Sequence, residues 1–296
     1  MTDAPQTKPA RLAVPGATLY YKMQGHGQLL LMLQGGDSDA DATDALASHV
    51  IDDYTVLSYD RRGLSRSPVD DPSAPVDLST HCDDAARLLA AVTDKPALVF
   101  GTSIGALLGL DLVSRHPESV GLLVSHEPPA TELLAEPGRR QAVRGQEEVE
   151  EAYLNDGVAE AMRKFVALAG VRFDDREPDV SLPVPRPERI ANLEFFLAHD
   201  APAVRLYRLD LPSLRATAHR VVPAAGESTK TFPRHCTEVL ARELGRPLAE
   251  FPGGHTGWLL RPRAFAARLR QVLSEYVSSA DNRGDSPAGR AKGIEP

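Results

Sequence analysis

The strongest indication of the fold comes from Gly101-Thr102-Ser103-Ile104-Gly105, which fits the pattern G-x-S-x-G. The apolar run ALVF (residues 97–100) precedes it, and a long apolar stretch with helical character (residues 104–113) follows it. A serine on a sharp turn from a strand into a helix has its hydroxyl group exposed above the sheet, and flanking glycines let neighbouring backbone approach closely. This context predicts that Ser103 is a nucleophile on such a turn.

Short apolar runs alternate with helical patterns along most of the chain. The predicted strands are residues 19–23, 29–33, 55–59, 97–100, 122–125, 220–224 and 248–251. The predicted helices are residues 40–51, 78–92, 104–116, 233–244 and 262–277. Most of the later strands are continuous apolar runs, as expected for parallel strands that are buried on both faces. The alternation predicts an α/β fold with a doubly wound, mostly parallel sheet.

One stretch between the later predicted strands, residues 131–217, interrupts this alternation. Its apolar residues recur at helical spacing, and the proline-rich segment EPDVSLPVPRP (residues 177–187) divides it. These helices must bury their apolar faces, and the edge of the sheet near Ser103 offers a surface for them. We therefore predict a helical cap or lid, with simple packing helices as the alternative. The predicted units are a sheet core (11–130 and 218–278), the cap (131–217), a disordered arm (1–10) and a disordered tail (279–296).

A serine hydroxyl is a poor nucleophile unless a base takes its proton, and His255 is the best placed of nine histidines. It lies late in the chain, in the glycine-rich segment Phe251-Pro252-Gly253-Gly254-His255, directly after a predicted strand. A loop of this kind can fold back over the edge of the sheet. A simple turn histidine is the alternative, but the serine turn upstream favours a catalytic base.

The carboxylate that would orient this base is less plain from the residues. Glu127 follows the predicted strand at 122–125 and would lie at the carboxyl end of the sheet, where catalytic groups of open α/β sheets gather. A charge buried there needs a partner, and a histidine would provide one. We predict Glu127 as the acid; a helix cap or gate to the inserted helices is its non-catalytic alternative. Glu227, after the strand at 220–224, is the other candidate acid.

An attacked carbonyl would also need hydrogen-bond donors for the oxyanion that forms on it. Gly35 and Gly36 follow a buried strand, and a glycine pair there can present a bare backbone N–H group. We expect Gly36 and Ile104, the residue after the serine, to supply the two N–H groups.

The substrate would then lie between this turn and the cap. The residues predicted to contact it are Gly35, Phe165, Phe196 and Trp258. Packing of the lid against the core is the alternative role for the aromatic side chains.

These motifs together resemble the α/β-hydrolase superfamily, and the resemblance extends over residues 12–277. The segment Asp60-Arg61-Arg62-Gly63-Leu64-Ser65-Arg66-Ser67 resembles its strand-end motif D-x-R-G-x-G-x-S, which is usually structural, so Asp60 and Arg61 are assigned no chemistry. The segment FPGGHTGWLLRPRAFAARLRQVL (residues 251–273) resembles the terminal histidine loop and helix. The order Ser103, Glu127, His255 agrees with the order of nucleophile, acid and base in the superfamily. The resemblance implies its fold and its serine-nucleophile branch.

Two positions depart from the superfamily pattern. Gln34 stands where a histidine usually precedes the oxyanion glycine, and Thr229 stands where the acid usually lies. The second departure favours Glu127, whose position resembles the alternative acid site of some members, haloalkane dehalogenases among them. Those enzymes and epoxide hydrolases carry aspartate on the turn, whereas this chain carries Ser103, so the resemblance points away from both reactions. The segments VSHEPPATELL and LEFFLAHDAP resemble a group of actinobacterial hydrolase-like proteins of unassigned substrate.

We therefore expect a serine hydrolase that cleaves an ester, thioester or lactone of a small, moderately apolar molecule through an acyl-enzyme on Ser103. No metal and no organic cofactor is expected. One alternative is a cofactor-free enzyme of this fold with different chemistry, such as a perhydrolase, C–C bond hydrolase, decarboxylase or cyclase; Gln34 is the hint for it. Another is a small-molecule-binding protein with a vestigial triad.

Composition narrows the partners and the location. The net charge of −8 over 296 residues argues against nucleic acid and against an anionic membrane surface as the main partner. Residues 1–10 are polar and contain no apolar signal-peptide core, which predicts a cytoplasmic protein. The two cysteines, Cys82 and Cys236, are expected to stay reduced, one partly buried and one at the surface. Each follows a histidine, which is weak support for a metal site. A homodimer is left open.

Overall fold

The computed structural model describes residues 8–182 and 187–281, and its centre is a sheet of eight strands. The strands are β1 (Lys8–Val14), β2 (Ala17–Gly25), β3 (Gln28–Leu33), β4 (Tyr54–Tyr59), β5 (Ala97–Thr102), β6 (Val120–His126), β7 (Val221–Gly226) and β8 (Ala249–Phe251). Their order in the sheet is β1-β2-β4-β3-β5-β6-β7-β8. The two pairs that involve β2 are antiparallel, and all the others are parallel. The predicted doubly wound, mostly parallel sheet is confirmed.

Helices cover both faces of this sheet. The α-helices of the described residues are α1 (Asp44–Ala47), α2 (Leu78–Val92), α3 (Ile104–Arg115), α4 (Gly138–Asp156), α5 (Val158–Ala169), α6 (Pro187–Phe195), α7 (Ala201–Leu206), α8 (Leu211–Ala216), α9 (Phe232–Glu243), α10 (Gly257–Leu260) and α11 (Pro262–Asp281). Helices α2, α3 and α9 share one hydrophobic cluster with the sheet, whereas α1, α10 and α11 share another. Strands β3 to β7 are buried over most of their length, and most of them therefore read as predominantly apolar runs in the sequence.

The helices α4 to α8 follow β6 and precede β7, so the chain leaves the sheet and returns to it. A five-residue π-helix (Phe196–Asp200) joins α6 to α7. These helices have a small apolar cluster of their own, built on α4, α5 and the π-helix. They occupy the stretch that was predicted as a helical cap, and they are called the cap below.

The structure differs from the sequence prediction at both ends of the described chain. Residues 8–10, assigned to a disordered arm, form the start of β1 and pair with β2. That strand was missed because four of its seven residues are exposed and the other three, Ala10, Leu12 and Val14, are only partly buried. Residues 279–281, assigned to the tail, continue α11. The rest of the predicted arm (1–7) and tail (282–296) lies outside the described residues.

Both cysteines are buried with free thiols, so the expectation that one of them lies at the surface is wrong. Cys236 lies on α9 and packs into the same cluster as Cys82 on α2. Burial is the main cause that raises the pKa of both thiols.

Strands β3, β5, β6, β7 and β8 run parallel, so their carboxyl ends meet at one edge of the sheet. The loops that leave this edge begin at Gln34, Ser103, Glu127, Glu227 and Pro252. Most of the residues singled out by the sequence therefore come from this edge, where open α/β sheets form their sites.

Candidate active site

Ser103 lies between β5 and α3 in a strained backbone conformation. Its φ is 55° and its ψ is −123°, a region that residues with a side chain rarely adopt. Its N–H group donates to the His126 carbonyl on the neighbouring strand at 2.9 Å. Gly105 explains why the pattern needs a glycine, because a Cβ atom there would lie 2.0 Å from the Leu33 carbonyl oxygen. The turn thus depends on close backbone packing that only glycine allows.

His255 and Glu127 are in direct contact. The His255 Nδ1 atom lies 2.7 Å from the Glu127 Oε2 atom, across 128 residues of sequence. The other carboxylate oxygen, Oε1, accepts a hydrogen bond of 2.8 Å from the Gly226 N–H group at the end of β7. Glu127 also has a positive φ of 52°, so its backbone is strained like that of Ser103. This arrangement fixes the imidazole ring and leaves its Nε2 atom for another partner.

Electrostatics keep the Glu127 carboxylate charged. Burial alone would raise its pKa, but the hydrogen bond with His255 and the neighbouring imidazoles outweigh burial and lower the pKa to about 2. The side chain is fully buried, and a buried carboxylate of this kind stabilises an imidazolium beside it. The pair can therefore hold a proton that His255 takes up during a reaction.

His126 is a second buried imidazole next to this pair, which sequence reasoning did not identify. It packs among the rings of Phe100, Phe251 and Phe265, with centroids 5.4 to 6.5 Å away. Burial is the main cause that lowers its pKa to about 4. His126 is therefore neutral at pH 7 and lies in the core next to Glu127. Its position, one residue before the predicted acid on a buried strand, is the one signal for it in the sequence.

The loop after β3 lies against Ser103. A Cβ atom at Gly35 would be 3.1 Å from the Ser103 Cβ atom, so a side chain there would press on the nucleophile. The Gly35 carbonyl accepts a hydrogen bond from the Ser38 N–H group at 3.1 Å. In a trans peptide the C=O and N–H groups point in opposite directions, so the Gly36 N–H group points out of this turn. Gly36 has a φ of 50°, and space is open where its Cβ atom would be.

Ile104 begins α3, where backbone N–H groups have no partner within the helix. Its side chain is buried, and the residue lines the same cavity as Ser103. The N terminus of α3 thus contributes to the floor of the cavity.

One cavity lies between the carboxyl edge of the sheet and the cap. Ser103, Ile104 and His255 form its floor, and residues of α4, α5, α7, α9 and the π-helix form its walls. Phe165 and Phe196 are among these walls and pack edge to face with centroids 5.3 Å apart. The space open to the centre of a water molecule is about 50 Å³, enough for a few waters. The walls are mostly apolar side chains.

Two polar side chains of α4 also line this cavity, and neither was singled out from the sequence. Glu150 forms a bidentate ion pair with Arg205 of α7, with both distances 2.7 Å. Gln146 lies one turn earlier on the same face of the helix. Their spacing of four residues places them on one face of α4, but the sequence alone does not show that this face borders the cavity.

Trp258 and Glu227 lie elsewhere. Trp258 is 4% exposed and packs with Phe251 and Phe265 in the cluster under α10 and α11, so its assignment to the substrate pocket is corrected. An aromatic residue three positions after His255 can face either side of its loop, and here it faces the core. Glu227 makes a long contact of 3.5 Å with the Gly253 N–H group, and Glu127 is the carboxylate in contact with His255.

Within residues 8–182 and 187–281, no group of three histidine, cysteine, aspartate or glutamate side chains could hold a metal ion. Among the helices of these residues, there is no candidate for a membrane-spanning segment.

Comparison with known proteins identifies the family that has this fold and this site. Residues 28–170 match the family model of the alpha/beta hydrolase fold. An uncharacterized hydrolase of Bacillus subtilis, YraK, is 35% identical over 269 residues, which cover 89% of this chain and 95% of that protein. The chain therefore belongs to the α/β-hydrolase family, and hydrolase activity is supported.

More distant relatives are consistent with this family. A zearalenone hydrolase of Cladophialophora bantiana is 26% identical over 280 residues, covering 90% of this chain and 96% of that protein. The crystal structure of a hydrolase from Pseudomonas aeruginosa superposes with a TM-score of 0.67 at 23% identity, covering 90% of this chain and 98% of that one. A thermophilic esterase of Thermogutta terrifontis superposes with a TM-score of 0.71 at 18% identity, covering 91% and 99%. Such structural likeness shows the shared fold.

Proposed function

We propose that this chain is a serine hydrolase that cleaves an ester, thioester or lactone through an acyl-enzyme on Ser103. The observation that carries the proposal is the contact of 2.7 Å between Glu127 and His255, with Ser103 and His255 on the floor of one cavity. An imidazole held at Nδ1 by a carboxylate has its Nε2 atom available as a base.

In the proposed reaction the Ser103 Oγ atom attacks the substrate carbonyl carbon while His255 Nε2 takes the hydroxyl proton. His255 then gives this proton to the leaving oxygen or sulfur atom, the bond to the leaving group breaks, and the acyl-enzyme remains. A water molecule, deprotonated by His255, attacks the acyl-enzyme. The acid is released and Ser103 recovers its proton. Glu127 stabilises the imidazolium in both halves of the reaction.

The oxyanion in each half is assigned to the N–H groups of Gly36 and Ile104. Both belong to backbone that is already fixed, Gly36 by the turn of its loop and Ile104 by α3. Fixed donors need no rearrangement as charge develops on the carbonyl oxygen, and each is worth about 10²- to 10³-fold in rate.

The walls of the cavity favour a small, moderately apolar substrate that Phe165 and Phe196 contact. A space of about 50 Å³ holds only a few water molecules, so we propose that the cap (131–217) is a lid that moves to admit the substrate. Gly35 borders the reacting group because it lies against Ser103. We propose that the substrate is a free small molecule, neither nucleic acid nor membrane, and that the protein is cytoplasmic.

The test is hydrolysis of a panel of p-nitrophenyl esters, thioesters and lactones by the wild-type chain and by Ser103→Ala. We expect Ser103→Ala to lose about 10⁶-fold in kcat because the nucleophile is gone. Ser125→Ala is the matched control. Its hydroxyl is buried on the neighbouring strand without a hydrogen-bond partner among the described residues, so its loss should leave kcat unchanged.

Full activity in Ser103→Ala would refute the acyl-enzyme. Turnover of none of these substrates, with Ser103 still reactive to a phosphonate, would favour other chemistry on this fold. Gln34 is the observation for that alternative, because both amide atoms of this buried side chain have no partner among the described residues. Tight binding of a small molecule without turnover would favour a binding protein.

A further inference from the structure

A buried cluster of three ionisable side chains that the proposed reaction does not use lies beside the site. Arg61 follows β4, His81 belongs to α2, and Asp200 ends the π-helix of the cap; each is 1% exposed or less. One Asp200 oxygen lies 3.0 Å from an Arg61 Nη atom, and the other lies 2.9 Å from His81 Nε2. A carboxylate from the cap thus reaches into the core and meets two side chains there.

The same guanidinium group binds the loop that carries the proposed oxyanion donor. Arg61 donates to the Gln34 carbonyl at 2.9 Å and to the Gly36 carbonyl. These two carbonyls flank the peptide group that contains the Gly36 N–H. Arg61 therefore fixes the loop on both sides of that peptide while Asp200 holds Arg61.

Other residues of the cap contact the same loop. Asn192 of α6 donates to the Asp37 carbonyl at 3.1 Å and accepts from the Ser65 N–H group at 2.7 Å. Arg189 forms an ion pair with Asp37 at 3.0 Å. Residues 189–200 of the cap therefore lie across the loop at residues 34–37.

We propose that Asp200, acting through Arg61, positions the Gly36 N–H group, so that the oxyanion donor is in place when the cap is docked on the core. Asp200 and Arg61 are positioning residues, since neither needs to touch the substrate. This inference rests on the proposed serine hydrolysis. It extends that proposal by coupling the cap to the oxyanion site, and it assigns a role to Arg61, which the sequence left without chemistry.

The charges in the cluster support this coupling. Burial opposes ionisation of Asp200, but His81 and Arg61 outweigh burial and lower its pKa, so the carboxylate is charged. A buried carboxylate and guanidinium hold one another firmly because neither has water as an alternative partner. A π-helix is a rare element that often occurs at functional sites, and here it delivers Asp200 to the core.

The test compares Asp200→Asn with Asp84→Asn. Asp84 forms a bidentate pair of 2.7 Å with Arg62, the residue after Arg61, and is equally buried, but Arg62 binds the Pro15 carbonyl and not the oxyanion loop. Both variants remove one charge from a buried arginine–aspartate pair. We expect Asp200→Asn to lower kcat about 10- to 100-fold with KM little changed, because a misplaced donor affects the transition state.

A trifluoromethyl ketone that adds to Ser103 gives a readout that stability alone would not change. Its adduct carries the oxyanion, so its Ki should rise in Asp200→Asn by the factor by which kcat falls. In Asp84→Asn both quantities should stay within about twofold of wild type even where the melting temperature falls. Arg61→Lys keeps the charge beside Asp200 but cannot span both carbonyls, so it should show the same pattern if Asp200→Asn does not fold.

Unchanged kcat and Ki in folded Asp200→Asn or Arg61→Lys would overturn the coupling, and so would equal losses of kcat in Asp84→Asn. These outcomes are distinguishable from failure of the proposed function. If Ser103→Ala is inactive and Asp200→Asn behaves as wild type, only the coupling fails. If Ser103→Ala keeps full turnover, the serine mechanism itself fails.

Discussion

Replacing Glu127 with glutamine removes the charge that stabilises His255 and nearly keeps the size of the side chain. The folded environment lowers the pKa of this carboxyl group from 4.5 to about 2. A shift of this size corresponds to about 3 kcal/mol in favour of the charged form, at about 1.4 kcal/mol per pKa unit. If the imidazolium in the transition state loses that amount, kcat falls about 10²-fold. Loss of the tautomer that presents Nε2 to Ser103 extends the effect toward about 10⁴-fold.

The assay is kcat and KM on the best ester substrate at pH 7, with circular dichroism to check the fold. We expect kcat to fall with KM little changed. Glu227→Gln is the matched control, since that side chain contacts the Gly253 N–H group at 3.5 Å, and its kcat should stay near wild type. A large loss in Glu227→Gln together with wild-type activity in Glu127→Gln would refute the assignment of the acid.

We also predict how Glu127→Gln changes the free energy of unfolding with pH. Because the folded pKa of Glu127 lies below its unfolded value, its contribution to the free energy of unfolding is full above about pH 4.5 and disappears as the pH falls toward 2. Chemical denaturation of wild type and Glu127→Gln should therefore differ by up to about 3 kcal/mol at pH 7 and converge near pH 2. A difference that persists at pH 2 would mean that packing, not charge, carries it.

Three further predictions concern the surroundings of the site. His126 has a pKa of about 4 in the folded protein and about 6.5 in the unfolded chain, so only the unfolded chain binds a proton at this position between these two pH values. The free energy of unfolding should therefore fall by about 3 kcal/mol as the pH drops through that range. His126→Asn should reduce this pH dependence, as measured by chemical denaturation at a series of pH values. Phe196→Ala removes a side chain from the wall of the cavity and should lower the free energy of unfolding by about 3 kcal/mol. It should also shift the substrate preference toward longer acyl chains in a series of esters from acetate to decanoate. An unchanged preference for chain length would mean that Phe196 does not contact the substrate. Gly105→Ala should fail to fold because its Cβ atom would lie 2.0 Å from the Leu33 carbonyl oxygen. Gly36→Ala, where the space is open, should fold with a backbone strain of about 1 kcal/mol. A Gly105→Ala protein that is stable in thermal melting would contradict this prediction.

The serine turn and the parallel strands could be predicted from the sequence because local residue patterns determine them. The G-x-S-x-G turn was recognisable because a tight turn and close backbone contacts restrict residue choice at Gly101 and Gly105. The parallel strands were recognisable because burial on both faces requires continuous apolar runs. Strand β1 lies at the edge of the sheet with much of its surface exposed, so the short alternation of Ala10, Leu12 and Val14 was too weak a signal to separate it from a loose arm.

The contacts that build the site depend on tertiary structure. The sequence offered Glu127 and Glu227 as acids, and only the geometry shows which of them lies against His255, 128 residues from Glu127. Asp200 and Arg61 are 139 residues apart, and no spacing in the sequence relates a residue of the cap to the end of β4. Trp258 was misassigned for the same reason, because the direction of a side chain on a loop is fixed by packing and not by its neighbours in sequence.

The most direct measurement of the central claim is the site and rate of labelling by a fluorophosphonate ester, followed by peptide mapping in a mass spectrometer. A serine activated by His255 and Glu127 should carry the phosphonyl group at Ser103. Ser103→Ala should not be labelled, and Glu127→Gln should be labelled about 10²-fold or more slowly. An ester-hydrolysing protein that stays unlabelled, or that carries the adduct at another residue, would contradict the account.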